Sequence, residues 1–169
     1  MSSPIAENEV TNAIAAPVST AEAKRPIVIP IKPGFSCTIR ANTNTFYYSK
    51  APIRLLNAQG REIAKKTFAA QGINSVVVPM KIVSSGAYEW TFSAAPEARS
   101  INVDILHGKG EKGPFEPSKV AKPIQIQKKP EDGKIHQEFY FTIVRLMILS
   151  EDWTNNTWDD AVITVVQWK

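Results

Sequence analysis

A chain of 169 residues with 43% hydrophobic content is long enough for one domain with a proper core, and most of it must fold. The formal charge of +4 is mild, and the Lys and Arg residues are scattered rather than striped, which argues against nucleic acid as a partner. The single cysteine, Cys37, excludes an intrachain disulfide, so the fold rests on packing.

Met1–Ala23 is small, polar and rich in Ala, Ser and Thr, with Glu7, Glu9 and Glu22 and no Lys or Arg. Pro17 interrupts its one stretch of helical composition. It reads as a flexible tail over residues 1–23, ahead of a folded domain over residues 24–169. No basic region followed by an apolar stretch opens the sequence, so the expected location is cytoplasmic, with non-classical export left open. No segment approaches the length of a membrane span.

From Lys24 the texture becomes that of strands. Pro26–Ile31 is β-branched and apolar, and Pro30 within it marks an edge strand or a bulge. After a turn at Pro33-Gly34, Phe35, Cys37, Ile39 and Ala41 alternate with Ser36, Thr38 and Arg40, as in a half-buried strand. Asn42-Thr43-Asn44-Thr45 is a short polar loop offering side-chain oxygens. Phe46–Ser49 and Pro52–Asn57 are extended, and Ala58-Gln59-Gly60 turns the chain into Arg61–Phe68. Ser75–Met80 contains Val76-Val77-Val78, a run that predicts full burial. Ala87–Ser93 carries Tyr88, Trp90 and Phe92 at period two, which predicts an aromatic stripe facing the core.

Ser100–Leu106 alternates again. His107–Lys119 holds Gly108, Gly110 and Gly113, but Pro114 and Pro117 deny the helix a phosphate loop needs, so it reads as an exposed loop. Lys122–Lys128, Glu138–Ser150 and Ala161–Trp168 are the last strands. No stretch has a helical apolar period. About nine or ten short strands with frequent turn signals predict an all-β fold, an antiparallel β-sandwich.

The richest chemistry lies between the last two strands. Glu151, Asp152, Asp159 and Asp160 bracket Thr154, Asn155, Asn156 and Thr157. Carboxylates crowded in this way repel one another unless a cation or several donors sit among them, and a hard cation such as Ca²⁺ takes several oxygen ligands. The alternative is a polar turn between strands. His107 and His136 have no companion at zinc-ligand spacing, and no Ser-His-Asp set or opposed pair of carboxylates can be assembled, so an enzyme is not expected. Trp153 either packs on the surface or stacks on a sugar face, and Trp158 packs under the loop.

Ser150-Glu151-Asp152-Trp153-Thr154-Asn155-Asn156-Thr157-Trp158-Asp159-Asp160, followed by the apolar strand Ala161–Trp168, resembles the C-terminal pattern of the bacterial calcium-dependent fucose/mannose-binding lectins. That pattern runs Ser-Glu-Asp-Gly, any residue, Asp, any residue, Asp-Tyr-Asn-Asp, then a strand ending Trp-Pro and a closing Gly. Ile29-Pro30, Phe35 and Ala41-Asn42-Thr43-Asn44-Thr45 are similar to the family's opening strands and specificity loop. The resemblance implies a β-sandwich lectin that binds carbohydrate, with calcium as cofactor, as a homodimer or higher homo-oligomer. It places metal ligands at Asn42, Glu151, Asn155, Thr157, Asp159 and Asp160. It places sugar contacts at Thr43, Asn44, Thr45, Asp152 and Thr154, with Trp153 as a stacking ring.

Two departures bear on the chemistry. Asn155 and Thr157 stand where the family has aspartates, and Lys169 follows Trp168 where the family has Pro and a Gly whose carboxylate reaches a neighbouring subunit's site. Calcium affinity tracks the charge of the ligand set. The alternative expectation is therefore a structural or interaction protein that keeps the lectin fold with a degenerate, calcium-free site.

Overall fold

A computed structural model describes residues 25–120, 124–128, 143–151 and 160–169; for 124–128 and 143–151 it gives strands and their pairing. The tail expected over residues 1–23 lies outside these residues. The described chain has fourteen strands and no helix, and nine of the strands are four or more residues long. They are β1 (Ile27–Ile31), β2 (Ser36–Thr43), β3 (Tyr48–Leu56), β4 (Glu62–Gln71), β5 (Val78–Pro79), β6 (Lys81–Ile82) and β7 (Glu89–Phe92). The rest are β8 (Arg99–Val103), β9 (Leu106–Gly108), β10 (Glu116–Pro117), β11 (Lys119–Val120), β12 (Ile124–Lys128), β13 (Ile143–Glu151) and β14 (Ala161–Trp168).

All pairings are antiparallel, in two sheets. The first runs β1-β8-β3-β4-β6, with β9 continuing along β3 and β10 outside β9. The second runs β11-β13-β14-β2-β5, with β12 beside β13 and β7 beside β2. Period-two alternation explains how they stack. Ile27, Ile29 and Ile31 of β1, Ile53 and Leu55 of β3, and Ile101 and Val103 of β8 face inward from the first sheet. Cys37, Ile39 and Ala41 of β2, with Ile163 and Val165 of β14, face them from the second, and all belong to one buried cluster. The fold is an antiparallel β-sandwich.

Polar contacts also cross between the layers, among them a clasp at Gln167. The buried Gln167 on β14 donates from its amide to the Pro30 carbonyl (2.9 Å) and accepts the Lys32 N–H (3.2 Å). The missing N–H of Pro30 is harmless because, among the described residues, β1 is an edge strand paired only with β8.

Four expectations change. His107–Lys119, expected as an exposed loop, holds the end of β9, the short strand β10 and the start of β11, with Gly108 and Ser118 buried. Phe46–Ser49 and Pro52–Asn57 merge into one strand, β3, because Ser49 and Ala51 turn inward to continue the alternation. Val76-Val77-Val78 is not buried: Val76 and Val77 are 48% and 68% exposed, in a tight turn where Ile73 bridges Val76 and Ser75 has a φ of 59°. A β-branched run is buried only if two layers cover it, and here the chain is crossing from one sheet to the other. In the aromatic stripe Trp90 is buried and packs edge-on to Phe92 (5.3 Å), but Tyr88 precedes β7 and lies exposed beneath the Lys81 ammonium.

Phe68 in β4 is the largest fully buried side chain among the described residues. Phe68→Ala is expected to destabilise the fold by about 3–5 kcal/mol, read from the urea midpoint. Burial pushes the Cys37 thiol up to about 12, with the Arg99 charge opposing weakly. The thiol should therefore resist maleimide at pH 8 in the folded protein and react once the chain is denatured.

Candidate functional site

The candidate site is framed at one end of the ladder between β2 and β14. Thr43 pairs with Ala161, and Ala161 in turn pairs with Ser150 of β13. One step beyond this row the Asn44 N–H meets the Asp160 carbonyl, and Glu151 follows Ser150 as the last residue of β13. Thr43 and Asn44 of one stretch that carries the sequence resemblance are thereby brought beside Asp160 at the end of the other.

Hydrogen bonds lock the junction. The Asp160 carbonyl accepts from the Thr43 hydroxyl (2.7 Å) and from the Asn44 N–H (3.1 Å). Because the one Thr43 proton goes to that carbonyl, the Ser49 hydroxyl must donate to Thr43 Oγ1 at 2.8 Å. Thr43 is 1% exposed and Asp160 7%, so this frame is dry. The Asn44 carbonyl accepts from Ser75 N–H (3.0 Å), tying on the neighbouring 72–77 loop. Gly72 permits that contact: a Cβ there would lie 1.6 Å from the Thr45 carbonyl oxygen.

Of the expected site residues, Asn42, Thr43, Asn44, Thr45 and Asp160 are gathered here, and Glu151 joins them by register. Asp152, Trp153, Thr154, Asn155, Thr157 and Asp159 lie outside the described residues. Thr43 and Thr45 are buried, and Thr43 directs its hydroxyl into the frame. Asn42 is half-buried and turns to the outer face of the second sheet. Asn42, Asp160 and Glu151 bear only oxygen and amide groups, a donor set suited to a hard cation. Among the described residues, no three His, Cys, Asp or Glu side chains are grouped to hold a metal.

Sequence reasoning missed Ser49, Ser75 and Gly72, whose parts depend on which segments meet; only the Gln71-Gly72 punctuation hinted at the last. His107 is taken up structurally, its Nδ1 3.0 Å from Ser118 Oγ and its ring against Tyr47 (5.3 Å).

No protein-family model matches the chain. No curated protein matches it either. Among solved structures it is similar to the C-terminal domain of the BC2L-C lectin from Burkholderia cenocepacia, at 11% identity and a TM-score of 0.47, over 85% of this chain and 97% of that one. It is also similar to a Chromobacterium violaceum lectin in complex with alpha-methyl-fucoside (10% identity, TM-score 0.48, 85% and 96% covered). A third is the Ralstonia solanacearum high-affinity mannose-binding lectin (17% identity, TM-score 0.46, 85% and 96% covered). At these values the similarity is loose.

Thr43→Val removes the hydroxyl from the frame and strands Ser49. A loss of about 1–3 kcal/mol is expected in urea denaturation, while Thr43→Ser should retain most of the stability.

Proposed function

We propose that this chain is a carbohydrate-binding lectin whose site lies where the 42–45 and 151–160 loops meet. The observation that carries the reading is the Asp160 carbonyl, which ties Thr43 and Asn44 to the start of β14. It joins the two sequence stretches that resemble the calcium-dependent fucose/mannose-binding lectins. In this reading Asn44, with Asp152 and Thr154, meets sugar hydroxyls, and the buried Thr43 and Thr45 act as positioning residues behind it. Trp153 offers a ring to the apolar face of a sugar.

Calcium fits the reading through Glu151, Asp159 and Asp160, helped by Asn42, Asn155 and Thr157. When bound, it would neutralise the crowded carboxylates and coordinate sugar hydroxyls. The assembly proposed is a homodimer or higher homo-oligomer.

A second reading is favoured by one observation, the substitution of the family's aspartates by Asn155 and Thr157, which leaves three carboxylates for the metal. Under it the fold persists as an interaction module with a degenerate, calcium-free site.

A glycan array run with and without chelator separates the two. The lectin reading expects binding that chelator abolishes and a melting temperature that rises with added Ca²⁺. Asp160→Asn, which leaves the main-chain carbonyl in place, should lower calcium content and sugar affinity together. Binding to no glycan, with melting indifferent to calcium, would sink the reading in favour of the second.

A further inference from the structure

The same alternation that sends Cys37, Ile39 and Ala41 into the core sends Thr38, Arg40 and Asn42 to the outer face of the second sheet. There they meet Thr164, Val166 and Trp168 of β14, and Glu89 of β7, around a groove of about 530 Å³. That volume is in the range of ligand sites. The register fixes its layout: Asn42 opposes Val162, Arg40 opposes Thr164, Thr38 opposes Val166, and Trp168 lies opposite Ser36. The groove therefore begins at Asn42, beside the candidate sugar site, and ends at an indole about 20 Å away, six residues along the strands.

Its chemistry is specific. Arg40 donates from Nε and Nη2 to Glu89 Oε2 (2.9 and 2.7 Å), a pair that cancels its own charge. Thr38 and Thr91 hydroxyls are joined at 2.8 Å. Among the described residues, the side chains of Asn42 and Thr164 make no hydrogen bond, and the guanidinium keeps further donors. A floor of hydroxyl, amide and paired-charge groups closed by one flat indole suits rings that carry hydroxyls on their edges and C–H groups on their faces. An extended peptide fits poorly, because β2 and β14 have both edges paired and offer no ladder to a new strand. An acidic polymer fits poorly because Glu89 cancels Arg40.

We infer that this groove is an extended subsite for a neutral oligosaccharide, running from the 42–45 loop down the outer face of β2 and β14 to Trp168. It rests on the lectin reading and narrows its ligand from a single sugar to a chain. Trp168 acts as a stacking platform for a distal ring, and the Arg40–Glu89 pair as a two-way hydrogen-bonding post midway.

The test is calorimetric titration of the full chain with methyl α-mannoside and with linear α-linked mannose oligosaccharides up to the tetrasaccharide. Affinity should rise about tenfold along the series. Trp168→Ala should flatten the rise while leaving monosaccharide affinity within about twofold; Glu89→Gln, which preserves shape, should reduce the rise and serves if the Trp variant is poorly folded. Equal affinity for all lengths would overturn the subsite and leave the lectin reading intact. A failure to bind any member, on a protein that also binds nothing on the array, would overturn both. If Trp168→Ala instead converts an oligomer to a monomer in sedimentation and leaves the length dependence unchanged, the face is an interface between copies and the subsite is wrong.

Discussion

Everything in this sandwich hangs on the eight-residue ladder between β2 and β14. It forms because both strands alternate small or branched apolar residues with polar ones, so that pairing buries one row from each at once. Inward, Cys37, Ile39, Ala41, Ile163 and Val165 close the core against the first sheet. Outward, the same pairing sets Asn42, Arg40 and Thr38 beside Val162, Thr164 and Val166. A slip of one residue would exchange these two sets and lose both core and groove.

The end of that ladder is finished by main-chain chemistry. The Asp160 carbonyl serves two donors, the Asn44 carbonyl a third, and Gly72 lets the adjoining loop approach without a side chain in the way. A site framed by peptide groups tolerates change in the side chains it presents. Placement and chemistry are separately encoded here, and only the first depends on the frame.

Much of the architecture was legible in the residues. β2 and β14 show clean alternation, Pro30 marks an edge, and the break after Thr43 is written in four polar residues. What could not be read locally were matters of partner. Val76 and Val77 have the composition of a buried strand and lie in the open because the chain is changing sheets there. Thr43 has the composition of a loop residue that greets ligand, and its direction was decided by its pairing with Ala161. The groove was invisible for the same reason: Arg40, Glu89, Thr164 and Trp168 are ordinary strand residues until register places them on one surface.

Thr43 and Asp160 are 117 residues apart in sequence, and the ladder that follows them spans still longer separations. Contacts of that range form slowly, since the entropy of closing so long a loop must be met before any pairing rewards it. As the polypeptide emerges during synthesis, β2 waits with the β14 side of its backbone unpaired while everything between is made. The junction of β2 and β14 is thus among the last parts to assemble, and a nascent or stalled chain would expose an edge strand ready to pair with its neighbours.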